Sequence, residues 1–507
     1  MIYSAMPLVL ALDQSTSATK ALLFDADGRC LDTESRGHRQ HYPQPGWVEH
    51  DAEEIWANTL ATLRAVAARH ESRRDEIACL SLANQRETVV VFERGSGRPL
   101  RPAIVWLCRR GDALCDEHRA NGTEPLIHSR TGLKLDAYFS ASKLQWLVRN
   151  DAALRAKLAR GEALVGTIDA YLVYRLTGGR TFATDPTNAS RTLLFDITRM
   201  RWDDGLCDLW QVPRGALPEV RESSAVFGET TLGGALRRPL PVCGVMGDSQ
   251  AALFAQRCFG SGMAKATFGT GSSVLLNIGR EPRFSRQGIV TTLAWVIEGR
   301  PTYALEGIII SAAATLSWLG SQLGLMADAA ESEAIAASLP GNEGVYLVPA
   351  FSGLGFPHWQ PAARAAITGL SGRSDRRHVV RAGLESIAYQ IRDVLDGLRA
   401  DAGVELRGLR CDGGPTSNRW LMQFTADLAG VELRASTMPY CSALGAAFMG
   451  MLGRKIHSSE TALGNLPCDD VSYSPSMPPD DAQRLLAGWW HAVRQTFPRP
   501  QSPLPAL

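Results

Sequence analysis

Two short apolar runs near the start of the chain, LVLALD (residues 8–13) and KALLFD (residues 20–25), are joined by QSTSAT, a tract of small polar residues. Apolar runs of this length around a polar apex predict a β-hairpin whose turn offers backbone N–H groups and hydroxyls together. The pattern returns half a chain later, where MAKATF (263–268) and SVLLNI (273–278) flank GTGS, so that Thr270 takes the place of Thr16. Two such hairpins predict two similarly built halves facing one cleft, with the midpoint near Ser261.

Between the hairpins, ACLSLAN and TVVVFE read as strands. The segment DAEEIWANTLATLRAVAARH (51–70) carries apolar residues at helical spacing behind an Asp-x-x-Glu start that resembles a capping box. The second half has the same texture: GVYLVPAF as a buried strand, residues 376–403 as a long amphipathic helix ending at Gly403, then ELRGLRCDGGP as strand and turn. Alternating strands and helices define an α/β class. The uncharged stretch GIIISAAATLSWLG (307–320) is shorter than the about 18 residues of a membrane span and reads as a buried helix. The tail, LPCDDVSYSPSMPPDD and then FPRPQSPLPAL, reads as irregular around a last helix.

Composition narrows the function classes. In 507 residues, 53 Lys+Arg against 52 Asp+Glu leave a net charge of +1, which favours neither nucleic acid nor an anionic membrane as partner. With 45% hydrophobic and 21% charged residues the chain is globular rather than disordered. At roughly 150 residues per domain, two or three domains are expected. The ten cysteines are scattered singly, without zinc-like spacing, and read as small buried hydrophobes of a reducing compartment. The start runs directly into polar DQSTSATK without a charged leader, so a cytoplasmic protein is expected.

The candidate chemistry lies at strand ends. Asp13 closes the first apolar run, where a carboxylate needs a partner; it either satisfies its own backbone in an Asx-type turn or faces a Mg-nucleotide at a phosphate-cradling turn. Asp412-Gly413-Gly414 is either an ordinary tight turn or a place of close backbone approach to a ligand. Arg86-Glu87 between two apolar runs is either a surface turn or a grip on a hydroxylated substrate, donating on one side and accepting on the other. Trp106 is either core or an apolar wall under a substrate's carbon chain. Asp248 follows the strand VCGVM, and the carboxyl end of a strand is where open α/β sheets bind ligands; it is the best candidate for a general base.

Thirteen segments, among them DQSTSATKALLFD, GWVEHDAEEIW, NQRETVVVFE, DAYFSASKLQWL, TDPTNASRTLLFDI, MGDSQAALFAQ, GMAKATFGTGS, YALEG and DGGPTSN, resemble in order and spacing the glycerol kinase branch of the FGGY carbohydrate kinases, from about Leu8 to about Gly453. The resemblance implies two ribonuclease-H-like domains of the actin and hexokinase type, residues 1–256 and 257–507, flanking a cleft for ATP and substrate. It implies Asp248 as catalytic base; Arg86, Glu87 and Tyr138 on the polyol hydroxyls; and Trp106 as apolar wall. It further implies Thr16, Ser17 and Thr270 on phosphate, Lys20 near the transferred phosphate, and Asp13 facing Mg²⁺ through water. Gly413, Gly414 and Asn418 fall on the nucleotide side. The expected reaction is ATP-dependent phosphorylation of a small polyol, by a homodimer or homotetramer without nucleic-acid or membrane partners.

Four positions depart from that pattern. Ser15 and Ala313 stand where glycines are usual, the latter on the adenine side. Ser249 replaces a glutamine that touches a terminal glycerol hydroxyl, and Ser273 a bulky aromatic packed on the glycerol carbons. Loss of bulk and gain of hydroxyls suit a tetritol (erythritol, threitol) or a pentulose (xylulose, ribulose) as an alternative substrate. A non-catalytic sugar or ATP sensor on the actin-like fold is the alternative of another class; retention of Asp13, Arg86, Glu87 and Asp248 speaks against it.

Overall fold

The computed structural model describes residues 6–285, 287–360 and 362–497. Residues 1–5 and 498–507, which include most of the FPRPQSPLPAL tail, lie outside the described residues. Strands are numbered below for the two main sheets only. The first sheet contains β1 (Leu8–Gln14), β2 (Ala18–Phe24), β3 (Cys30–Gly37), β4 (Ile77–Asn84), β5 (Val226–Thr230) and β6 (Leu240–Gly247), in the order β5-β6-β4-β1-β2-β3. The second contains β7 (Met263–Phe268), β8 (Ser272–Gly279), β9 (Val290–Ile297), β10 (Arg300–Ile309), β11 (Gly408–Asp412), β12 (Leu433–Ser436) and β13 (Asp470–Tyr473), in the order β9-β10-β8-β7-β11-β12-β13.

Both sheets follow one plan. From β3 to β5 the pairings run antiparallel, antiparallel, parallel, parallel, antiparallel. From β10 to β13 they run in the same sequence, with β9 added at the edge. The hairpins β1-β2 and β7-β8 thus occupy equivalent places. The central strands are covered on both faces, which is why LVLAL and LSLA read as continuous apolar runs rather than alternating ones.

Helix α1 (Ala52–Arg69) packs on β2 and β3. Its cap is simpler than the sequence suggested: Asp51 accepts from the Glu53 N–H, while Glu54 accepts from the distant Arg39 N–H at 3.3 Å and so does not close a capping box. Helix α2 is Ser140–Asn150, α3 Asp248–Ala255, α4 Ala313–Ser321, α5 Arg376–Ala402, α6 Arg419–Ala429 and α7 Cys441–Gly453. The long helix α5 ends at Gly403 with φ +59, as read from the sequence. Helix α7, late in the chain, lies on β1, β4, β6 and α3 and so joins the second half to the first sheet. At its crossing with α3 a Cβ on Gly445 would meet the Ala251 carbonyl oxygen at 1.8 Å, so only glycine permits this approach.

Three expectations are corrected. The stretch 307–320 is not one helix: Gly307–Ile309 finishes β10, paired with Ser272–Val274, and the helix starts only at Ala313, because three consecutive β-branched isoleucines favour the strand. The Ser/Pro-rich segment after Leu466 is not wholly irregular, since Asp470–Tyr473 pairs with β12 before the last helix, Pro479–Gln495. GVYLVPAF contributes only a three-residue strand, Tyr346–Val348, to a separate two-stranded sheet. Eight of the ten cysteines are buried, but Cys468 is exposed. Among the described residues no helix is long and apolar enough to cross a membrane.

Candidate active site

The first turn is held by its own backbone. Ser15 N–H and Oγ both donate to the Ala18 carbonyl, at 2.9 and 3.0 Å, and Gln85 N–H donates to the Gln14 carbonyl at 2.7 Å, tying the turn to the end of β4. Asp13 lies opposite Lys20 in the β1-β2 register. The Asp13 Oδ1 is sealed from solvent and has no hydrogen-bond partner, so the Asx-turn alternative is not what the fold adopts. Burial pushes its carboxyl up to about 6; Lys20 lowers it and Asp248 raises it further. An orphaned, enclosed carboxylate oxygen beside a phosphate-type turn fits a cation or its water shell.

The equivalent turn, Gly269–Gly271, is stitched to the start of α4. Ala313 N–H donates to the Gly269 carbonyl at 3.0 Å, and Ala312 and Ala314 N–H donate to the Thr270 carbonyl at 2.8 and 3.2 Å. Gly413 closes on the same strand end: its φ is +101, and a Cβ there would lie 1.9 Å from the Phe268 carbonyl oxygen. Asn418 caps α6, accepting from Leu421 N–H at 2.9 Å and donating to Ser332 Oγ at 3.2 Å.

Arg86 and Glu87 are not a surface turn. Their side chains are 5% and 2% exposed, within a network of two arginines and two glutamates. Arg86 Nη2 lies 2.9 Å from Glu306 Oε1, Arg191 Nε 2.6 Å from Glu87 Oε1, and Arg191 Nη1 2.6 Å from Glu306 Oε2. Burial alone would raise the Glu306 carboxyl, but Arg191 and Arg86 outweigh it and hold it at about 2. For Glu87, burial wins and the same two arginines offset it only in part, so its carboxyl moves upward. Glu87 has φ +61, a strained conformation for a non-glycine residue, fixed by Arg191 on its carboxylate and by Ser140 Oγ on its carbonyl at 3.1 Å.

Asp248 begins α3 at the carboxyl end of β6. Its side chain remains 33% exposed, and its Oδ1 lies 3.3 Å from Arg86 Nε and accepts the Ser249 N–H at 2.6 Å. It is the accessible carboxylate of the cluster. Gln250, two residues on, accepts from Arg86 Nη1 at 3.2 Å and aligns the guanidinium. Ser273 Oγ donates to Glu306 Oε1 at 2.8 Å, so this hydroxyl is engaged within the network. Tyr138 meets Trp106 edge-on with ring centroids 5.3 Å apart, and burial pushes its phenol far upward, keeping it a neutral donor. Its loop is fastened by Lys143, fully buried, whose Nζ donates to the carbonyls of Ala137, Tyr138 and Phe139 at 2.6, 2.7 and 3.1 Å. Burial pulls the Lys143 ammonium down to about 8.

The structure therefore brings Arg86, Glu87, Tyr138, Asp248 and Ser273 together, and links Trp106 to Thr16. It adds Arg191, Glu306, Gln250, Lys143 and the fully buried Lys265, which donates to Thr267 Oγ1 at 2.7 Å. Each of these five lies in one of the thirteen recognised segments. A charge inside an otherwise apolar strand, as in YALEG or MAKATF, was the signal available for Glu306 and Lys265.

A sheet plan repeated in two halves is that of the actin and hexokinase ATPases, and an accessible carboxylate beside a buried guanidinium suits phosphoryl transfer to a hydroxyl. The chain belongs to the FGGY family of carbohydrate kinases: the family's N-terminal domain matches residues 8–255 and its C-terminal domain residues 264–453. It is 45% identical to a glycerol kinase of Shewanella piezotolerans over 96% of this chain and 99% of that protein. It is 44% identical to a glycerol kinase of Desulfitobacterium hafniense over the same shares. The solved glycerol kinase of Plasmodium falciparum with ADP superposes with a TM-score of 0.91 at 35% identity, covering 98% of this chain and 99% of that one. A xylulose kinase of Rhodospirillum rubrum, at 24% identity and a TM-score of 0.84, shares the fold. Membership makes the chain an ATP-dependent kinase and sets the sensor alternative aside.

Proposed function

We propose that this chain transfers the γ-phosphoryl group of ATP to a terminal hydroxyl of glycerol or a glycerol-like polyol, with residues 1–256 on the polyol side and 257–507 on the nucleotide side. The observation that carries the reading is Asp248, a part-exposed carboxylate at a strand's end within 3.3 Å of a guanidinium that is itself locked among Glu306, Glu87 and Gln250. The near full-length glycerol kinase relatives support the same substrate.

Phosphoryl transfer needs positioning and charge neutralisation more than covalent chemistry. Arg86 donates to, and Glu87 accepts from, adjacent polyol hydroxyls, while Trp106 and Tyr138 cover the carbons. Asp248 takes the proton of the attacking hydroxyl as its oxygen bonds to the γ-phosphorus and the β,γ-bridging oxygen leaves with ADP. Lys20 and the turns at Thr16, Ser17 and Thr270 hold the phosphate oxygens; Gly413, Gly414, Ala313 and Asn418 border the nucleotide. Asp13 would hold Mg²⁺, and the ion when bound would neutralise charge on the phosphates.

Transfer to a tetritol or pentulose is the second reading, motivated by Ser249 and Ser273. Because Ser273 Oγ is engaged with Glu306, only part of the added hydroxyl character faces a substrate, which favours glycerol. A coupled ADP-release assay with Mg-ATP across glycerol, erythritol, threitol, xylulose and ribulose tests both. The highest kcat/KM on glycerol supports the first reading; a clear preference for a four- or five-carbon substrate replaces it with the second.

A further inference from the structure

The indole of Trp106 reaches beyond the polyol side of the site. Its Nε1 donates to Thr16 Oγ1 at 2.9 Å, at the apex of the first turn. Its backbone N–H donates to Thr88 Oγ1 at 3.2 Å, and Thr88 in turn donates to Gln85 Oε1 at 3.0 Å. Gln85 Nε2 donates to Gln14 Oε1 and the Ser15 carbonyl, at 3.0 and 3.2 Å. Two hydrogen-bonded routes therefore run from one residue to one turn.

The direct route has a strict polarity. An indole N–H can only donate, and a hydroxyl carries one proton and two lone pairs. With Thr16 Oγ1 accepting from Trp106, its own proton remains to be donated elsewhere, and Thr16 is a residue only partly buried. An oxygen bearing negative charge is the acceptor that this orientation suits. The same ring faces the Tyr138 edge, where a polyol's carbons would rest.

We propose that Trp106 is a positioning residue for the phosphoryl group, acting through Thr16, so that a polyol resting on its ring makes the first turn a better phosphate donor site. This rests on the proposed transfer to a polyol, in which Trp106 touches only carbon. The coupling makes the two substrates bind better together than apart, and it orders the turn for transfer when an acceptor other than water is present.

The test is a double-mutant cycle on W106F, which keeps a ring but deletes the donor, and T16V, which deletes the acceptor. The first readout is the affinity for a β,γ-imido analogue of Mg-ATP, measured by calorimetry with and without glycerol. In the wild type glycerol should tighten the analogue by about fivefold or more, and in either variant this factor should fall to within about twofold of one. The second readout is turnover: W106F should lower kcat about tenfold, and W106F/T16V should be no slower than T16V alone. Retention of the glycerol effect in W106F, its absence in the wild type, or independent multiplicative losses in the double variant would each overturn the proposal. If the wild type binds the analogue but phosphorylates no polyol, the functional reading fails, and the binding cycle still decides whether Trp106 acts through Thr16.

Discussion

Replacing Asp13 by asparagine should stabilise the ligand-free protein while disabling it. Burial raises the Asp13 carboxyl from an ordinary 3.8 to about 6 in the folded state. A carboxyl whose folded pKa lies above its unfolded value stabilises the fold when protonated, and that contribution is lost as pH rises through the folded value. At pH 7.5 the ionised group therefore costs up to about 3 kcal/mol, from about two units at 1.36 kcal/mol each, and at pH 5 about half of that. Water reaching the half-buried residue trims the neutral-pH value to about 2 kcal/mol, or about 2 °C in melting temperature for a chain of 507 residues. Asparagine keeps the shape without the charge. The assay is thermal unfolding of Asp13→Asn and wild type, ligand-free, at pH 5 and 7.5, alongside Mg-ATP turnover. The expected result is a higher Tm for the variant at pH 7.5, a smaller gain at pH 5, and loss of activity. A variant that melts at or below the wild type at pH 7.5, or whose gain does not shrink at pH 5, would refute the reasoning.

The buried network yields further expectations. Arg191→Met removes a guanidinium shared by Glu87 and Glu306, and should cost about 3–5 kcal/mol in urea unfolding because two carboxylates lose a partner in the interior. Lys143 holds three carbonyls of the Tyr138 loop as an ammonium, and burial lowers it to about 8. Deprotonation removes a donor, so the polyol KM of the wild type should climb above about pH 8, and Lys143→Met should show a raised KM that no longer varies there. Gly413→Ala places a Cβ 1.9 Å from the Phe268 carbonyl at φ +101; a loss of at least about 2 kcal/mol is expected by denaturant titration.

What could be read from sequence was local. The hairpins at Thr16 and Thr270 and the helix ending at Gly403 are set by residues adjacent in the chain, where apolar period and turn chemistry act directly. The strand-to-helix change inside GIIISAAATLSWLG was not legible, since an apolar run carries no period that separates a buried strand from a buried helix. The site divides in the same way. Asp248 and the Arg86-Glu87 pair stand out at strand ends, but Arg191 and Glu306 acquire meaning only through each other. Arg191 lies 104 residues from Glu87, and only the fold decides that four charged groups from three segments share one buried space. Glu54 illustrates the converse: a local capping rule pointed to the N-terminus of α1, while the side chain serves Arg39.

The central claim is that Asp248 drives transfer from ATP to a polyol hydroxyl. A single-turnover experiment with γ-labelled Mg-ATP and excess glycerol, comparing wild type with Asp248→Asn, tests it most directly. The wild type should move the label into glycerol phosphate, and the variant should bind both substrates yet transfer at least about 100-fold more slowly. In the wild type, label that appears as inorganic phosphate or stays in ATP, or in Asp248→Asn label that reaches glycerol at an undiminished rate, would contradict the account.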